Sequence, residues 1–476
     1  MMIVKKGFRV EYDSIGELEV EKEAYYGVNA LRANHNFQIT GYKMDKGLIK
    51  AIVEVKKACA LTNNEVDLLS DKKMEAIVAA CDKILAGDYM DQFITDPIQG
   101  GAGTSFNMNA NEVIANLAIE YLGGELGDYS IIHPNDDVNC GQSTNDVIPS
   151  AGKIALIRYF LELYEETRFL VDSLIYKSKE FDDYIKMGRT QLQDAIPIRL
   201  GQEFEAYATV LTRDLKRFNA AIDSLSSINL GGTAIGTGLN ANVTYVKNIV
   251  PKLSEITGLD LKQNENLIDG TQNLDSFLFA SSVLKTFAAS LSKISNDLRL
   301  LSSGPKAGIS EIQLPAKQAG SSIMPGKVNP VIPEVVNQVA FSVIGNDTTI
   351  SMAVESGQLE LNAFEPIIFY KLFESLKTLQ GAIHTLRVNC IDGITADKKK
   401  LEQKVENSIG IITALAPYIG YQKSSQIAKK SLKTNIPIRK LVLEEGLMNE
   451  DHLDRILDPY KMTVPGIVAE ELTEGA

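Results

Sequence analysis

Cysteine and histidine are scarce in this chain of 476 residues, with four of each. Cys59, Cys81, Cys140 and Cys390 lie far apart and form no C-x-x-C pair, which argues against a disulfide framework and suits reduced thiols in a cytoplasmic protein. His35, His133, His384 and His452 are equally scattered. Neither the H-E-x-x-H pattern nor a C-x-x-C zinc spacing occurs, so metal catalysis is not indicated. Positive charge is also in deficit: 48 Lys and Arg against 61 Asp and Glu leave a net charge of -13. With no basic excess to release counterions, general binding to nucleic acid or to an anionic membrane is disfavoured. Long hydrophobic runs are missing as well. The first residues, Met-Met-Ile-Val-Lys-Lys-Gly, lack the apolar run of a signal peptide, and no uninterrupted apolar stretch reaches spanning length. A soluble, cytoplasmic protein is expected.

Hydrophobic residues at 45% and charged residues at 23% are ordinary for a globular protein, and the length predicts two or three structural regions. Helical spacing at Ile49, Ile52, Val53 and Lys56 is broken by polar turns at Gly100–Ser105 and His133–Asp137. From about Ser150 long helices take over. Ile154, Ile157, Leu161, Tyr164, Val171 and Ile175 recur at three- and four-residue steps and are expected to form one face of a long helix. Phe277, Ala280, Leu284, Phe287, Leu291, Ile294, Leu298 and Leu301 alternate in steps of three and four, a coiled-coil-like seam stopped by Gly304-Pro305. A third pattern starts at Pro333 and runs through Val336, Ala340 and Val343. Seams this long suit burial against partner chains, with a monomeric bundle as the alternative. Three regions are expected: 1–143 with substrate-binding loops, 144–397 as the central long-helix bundle, and 398–476 as a small terminal helical unit.

Between these elements lie four polar clusters. Gly320 to Pro333 joins Ser321 and Ser322 to two glycines, Lys327 and Asn329, just before a helix. Glycine-turn N-H groups, a helix N-terminus and a lysine together hold an anion. Lys327 and Arg189 are the candidate cations for a small anionic substrate. The other clusters are Gly101–Glu112 with Thr104 and Asn107, Gln142–Asp146, and Gly188–Asp194. Singly each reads as a cap or turn. Together, their hydroxyls and amides with one lysine can hold two carboxylates and an ammonium without metal or cofactor.

The run Gly-Ser-Ser-x-Met-Pro-x-Lys-x-Asn-Pro, here Gly320 to Pro330, is the signature of the aspartase/fumarase superfamily, which the chain closely resembles from Tyr25–Val28 to Asn407–Gly410. The resemblance implies a mainly all-α fold in three regions, whose central long helices form the multi-helix core of a homotetramer. Each active site would be assembled from three subunits, with the Thr104/Ser143, Thr190 and Ser321 regions coming from different chains. It also implies the chemistry: a proton is removed beside a carboxylate of a small dicarboxylate substrate, the carbanion is held as an aci-carboxylate, and fumarate is released. Preorganised donors aimed at that carboxylate lower the barrier. By the same resemblance Ser321 is the general base, and Thr104, Ser143, Thr144 and Ser322 hold the aci-carboxylate. Lys327 and Asn329 hold the other carboxylate, and Asn145, Thr190 and Gln191 surround the amino group. Gly320 and Gly326 would be hinges of a loop that closes over substrate.

Within the superfamily the chain resembles the aspartate ammonia-lyases. Hydroxide needs an acid to leave, whereas an ammonium already carries its proton. Fumarases place histidine after Gly-Arg-Thr; here Gln191 stands there and cannot deliver a proton. The wording of Gln99–Ser105, Asn229–Gly236, Asn329–Gln338 and Gly357–Asn362 agrees. Fumarate hydratase, and a non-catalytic structural relative of the lens crystallin kind, are the alternatives. No cofactor is required for this chemistry, and activation by a divalent metal such as Mg is left open.

Overall fold

Apolar residues at three- and four-residue steps dictate helices, and helices dominate the computed structural model, which describes residues 7–475. The long ones are Thr144–Glu180, Leu200–Leu225, Asp275–Leu301, Val331–Glu355 and Glu365–Asn389. Strands among the described residues form only two-stranded sheets. The predicted seam holds: all eight residues from Phe277 to Leu301 are buried. The helix after the serine-lysine loop starts at Val331, slightly earlier than expected, with Pro333 in its first turn and Val336, Ala340 and Val343 buried. A first-turn proline sacrifices no intrahelical bond.

The face expected on the Thr144–Glu180 helix is only partly buried within the chain. Leu161 and Ile175 are exposed, and the buried stripe runs instead through Ile154, Ile157, Phe160, Leu163, Leu170, Val171 and Leu174. This helix carries two neighbouring apolar stripes, so a 3.6-residue period has more than one solution. The helix Asp275–Leu301 has the length and mean hydropathy, 1.2, of a membrane span, with half of its apolar window buried inside the chain.

By contacts the chain divides into two units, each made of three stretches. The first comprises residues up to Tyr164, Lys216–Ala288 and Phe341–Leu379. Its helix Lys46–Glu65 packs on Asp71–Ala86, Thr104–Tyr121 and Val243–Thr257. An aromatic cluster, with Phe218 4.9 Å from Phe287 and Phe277 5.3 Å from Phe369 between ring centroids, fills its core.

The second unit comprises Glu165–Leu215, Ala289–Ala340 and the chain from Gln380 onward. An antiparallel hairpin, Ile185–Thr190 with Gln193–Arg199, lends Ile185 and Met187 to a core otherwise built from the C-terminal helices: Val405, Ile411, Leu415, Ile427, Leu441 and their neighbours. The join depends on Gly410, where a Cβ would fall 2.0 Å from the Ala195 carbonyl oxygen and 2.7 Å from Met187 Cε. Gly410→Ala must push the hairpin and the C-terminal helices apart. A loss of about 1–3 kcal/mol is expected from such overpacking, read as a lower Tm in scanning calorimetry; an unchanged Tm would mean that this contact is slack.

Candidate active site

In the first unit three sequence segments converge. Gly101, Ala102 and Gly103 all have left-handed φ, +86°, +54° and +83°, and the helix Thr104–Tyr121 begins directly after them with no side-chain cap. Gly103 admits no Cβ, which would lie 2.9 Å from Ile148. Thr104 is exposed at this N-terminus, its hydroxyl donating to the Gly101 carbonyl at 2.7 Å. One turn on, the Asn107 amide donates to Asn139 Oδ1 at 3.1 Å and to Thr144 Oγ1 at 3.4 Å.

The second segment, Gln142–Asp146, enters the long helix at Thr144. Ser143 Oγ accepts from the Asn145 N-H, and the Asn145 amide donates to the Ala234 carbonyl at 2.7 Å. Asp146 is fully buried, and its carboxylate accepts the backbone N-H of Ser143, Gly231 and Thr233 at 2.9, 3.1 and 3.0 Å. The third segment, Asn229–Gly236, is thereby stitched to the second, with Asn229 Nδ2 donating back to the Asn145 carbonyl. Burial pushes the Asp146 carboxyl up to about 6, against the pull of those three N-H groups.

Beneath them lies Lys56, fully buried, donating to Asn139 Oδ1 at 2.7 Å and Gln142 Oε1 at 2.8 Å. Burial pushes its ammonium down to about 7. The sequence marked Lys56 only as a helical position. The signal was there, a lysine on the face of Ile49, Ile52 and Val53, but its partners lie more than eighty residues away. Burial raises the Cys140 thiol beside this cluster, which disfavours the reactive thiolate. His133 serves as a cap, its Nδ1 accepting from the Asn135 and Asp136 N-H groups.

The remaining candidates lie in the second unit. Ser321 Oγ accepts the backbone N-H groups of Ile323 and Met324, both at 3.1 Å. The loop closes on itself, with Gly320 N-H donating to Lys327 O and Asn329 Nδ2 donating to Gly320 O, both at 2.8 Å. Two N-H groups aimed at one serine oxygen form the nest that an alkoxide needs. Gly320 is there for close approach, since a Cβ would meet Lys327 O at 2.5 Å; Gly326 is there for its φ of +82°. Ser322 and Lys327 are exposed. Among the described residues Lys327 has no ion-pair partner, and a cavity of about 480 Å³ opens beside it and Asn329.

Thr190 and Gln191 stand exposed at the hairpin tip. Gln191 and Leu192 make the two-residue turn with φ of +53° and +64°, a geometry that favours Asn-Gly and costs other residues about 1–2 kcal/mol each. Arg189, expected as a free cation for substrate, is instead paired with the buried Glu311 at 2.8 Å. That expectation is corrected. Sequence spacing could not reveal a partner 122 positions away.

A family profile described as Lyase matches residues 16–345, and one described as Fumarase C C-terminus matches residues 411–464. The aspartate ammonia-lyase of Bacillus subtilis (strain 168) is 50% identical over 474 residues, covering 100% of both chains. That of Helicobacter pylori (strain ATCC 700392 / 26695) is 52% identical over 459 residues, covering 96% of this chain and 98% of its own. The chain belongs to the lyase family, in its aspartate ammonia-lyase branch. Among solved structures, the fumarate lyase:delta crystallin from Brucella melitensis bound to cobalt is similar at a TM-score of 0.94 and 48% identity, over 96% of this chain and 100% of that one. The class II fumarase from Schistosoma mansoni gives 0.93 at 33% identity, over the same shares. The mainly all-α fold expected for this lyase family is the one observed.

Two outcomes follow for this lyase. Ser321→Ala should lower kcat by about 10²–10⁴, the range of a lost general base, with the elution volume unchanged in gel filtration; retained turnover would assign Ser321 to capping alone. Protonation of Asp146 neutralises the carboxylate and weakens its acceptance from Ser143, Gly231 and Thr233, so kcat/KM should fall as pH drops through about 6. Asp146→Asn should abolish that acid limb; a limb that persists in the variant belongs to another group.

Proposed function

We propose that this lyase deaminates L-aspartate reversibly to fumarate and ammonia, with Ser321 as the base. The observation that carries the reading is the nest around Ser321 Oγ, formed by the N-H groups of Ile323 and Met324. Deprotonated there, the serine takes a proton from Cβ. The C–H electron pair passes into the adjacent carboxylate as an aci-carboxylate, then forms the C=C bond as the C–N pair leaves with ammonia. Thr104, Ser143, Thr144 and Ser322 donate to the aci-carboxylate, and Lys327 and Asn329 hold the other carboxylate. Asn145, Thr190 and Gln191 surround the ammonium.

Gln191 favours ammonia over water as the leaving group, because an amide delivers no proton and an ammonium needs none. The roughly half-identical aspartate ammonia-lyases, matched over the full chain, support the same choice. Thr104 Oγ1, Asn145 Nδ2 and Asn329 Nδ2 each donate to a backbone carbonyl in this conformation. Substrate must therefore re-aim them, in keeping with a loop that closes.

A homotetramer with shared active sites belongs to this reading. Its support is the large apolar side chains exposed on the long helices: Leu161, Phe169, Phe279, Phe341 and Met352. Four cysteines without disulfides suit a cytoplasmic location, and the regions 1–143, 144–397 and 398–476 remain the proposed division by role. The Brucella relative was solved with cobalt. Among the described residues no three His, Cys, Asp or Glu side chains converge. No step of this reading runs through a metal, and Mg is proposed at most as an activator.

The deciding assay follows fumarate by its ultraviolet absorbance with L-aspartate in one cuvette and L-malate in another, with ammonia measured in parallel. Fumarate and equal ammonia from aspartate alone are expected. Fumarate from malate alone would make the protein a fumarate hydratase, and silence from both would favour a structural role.

A further inference from the structure

We propose that Glu311 is a positioning residue for the amine half of the reaction, its buried carboxylate fixing Arg189 and, through it, the turn that carries Thr190 and Gln191. This rests on the assignment of those two residues to the substrate's ammonium.

Glu311 has no exposed side-chain surface, and neither of its oxygens has a hydrogen bond of good angle; both are held by ionic contact instead. Oε1 lies 2.8 Å from Arg189 Nη2 and Oε2 lies 2.9 Å from Lys186 Nζ. Lys404 approaches to 4.0 Å from the helix Lys398–Asn407. Burial pushes the carboxyl up, and Arg189 and Lys186 more than offset this, so it stays below its ordinary range. Lys186 is shared with Glu203, 2.7 Å away on the helix Leu200–Leu225. The backbone is pinned too, with Glu311 N-H donating to the Leu301 carbonyl at 2.8 Å.

Lys186 and Arg189 are three residues apart, which places them on opposite faces of a regular strand. Both nevertheless reach one carboxylate. The hairpin achieves this at its register shift between Met187 and Arg189, where Met187 opposes Pro197 and Arg189 opposes Asp194; such a bulge adds twist. Immediately beyond Thr190 come the two left-handed residues Gln191 and Leu192. A strained tip keeps its shape only where its surroundings over-determine it. Gln191 and Leu192 are themselves exposed, so the constraint has to enter through the flanking strands, and Arg189 is the last side chain of the first strand held in the buried network, opposite Asp194, which Ser408 holds on the second.

A merely structural ion pair would affect both substrates of the reverse reaction alike. A positioning residue for the amine should not. In the amination direction Glu311→Gln is expected to raise the KM for ammonia about tenfold while the KM for fumarate stays within about twofold. Gln191→Ala should do the same, and the double variant should be no worse than Gln191→Ala alone, because both act through one group. Should Glu311→Gln fail to fold, Arg189→Gln leaves Glu311 paired with Lys186 and Lys404 and gives the same readout, with Arg189→Lys recovering most of the loss. Equal rises in both KM values, no rise in either, or additive effects in the double variant would overturn the proposal. An unchanged ammonia KM in Gln191→Ala overturns the ammonium assignment itself, and is read separately because Glu311 is then intact.

Discussion

A carboxylate out of water must find donors, and Asp146 finds its donors in the backbone of two separate segments. Its bonds to Ser143, Gly231 and Thr233 join the start of the Thr144–Glu180 helix to the glycine-rich Asn229–Gly236 stretch. Ser143 and Asn145 take their places from that join, and Thr144 takes its place from Asn107, which Asn139 and Lys56 support from below. Hydroxyls and amides that recognise a substrate are useful only if held before it arrives, since reorganisation during reaction costs the stabilisation they would supply. Asp146 and Lys56 never need to touch substrate to do this. They are buried ionisable groups whose partners are, or adjoin, the residues proposed to do so: Ser143 for Asp146, and Asn139 and Gln142 for Lys56.

The second unit solves the same problem by other means. The Ser321 loop uses backbone N-H groups and glycine geometry, and the hairpin uses ion pairs around Glu311. The difference fits the two tasks. A loop proposed to close over substrate is held by a few bonds of its own backbone and Asn329, whereas a turn that must keep an unfavourable φ is anchored in a charged, buried network.

Much of this was legible in the chain itself. Gly320 to Pro333 announced a glycine-bearing turn ahead of a helix, the alternation from Phe277 to Leu301 announced a buried seam, and Thr104, Ser143 and Asn145 stood in polar clusters that are now seen to be caps and turns as well as candidate donors. What escaped was non-local or ambiguous. Lys56 is defined by Asn139 and Gln142, and Arg189 by Glu311; nothing in the spacing of either residue names its partner. The stripe buried within the chain on the Thr144–Glu180 helix escaped because Phe160, Leu163 and Leu174 offer a second apolar row beside the expected face. The boundaries between units follow no composition shift, since each long helix contributes residues to both.

Lys327 is an exposed cation on a chain of net charge -13. At long range the molecule therefore repels the aspartate monoanion it is proposed to receive, and attraction prevails only close to the loop. Salt screens charges beyond a Debye length of about 10 Å at 0.1 M. Moderate ionic strength thus removes the repulsion of the body while leaving the short-range pull of Lys327 largely intact. Substrate capture by this protein is helped, rather than hindered, by the electrolyte around it.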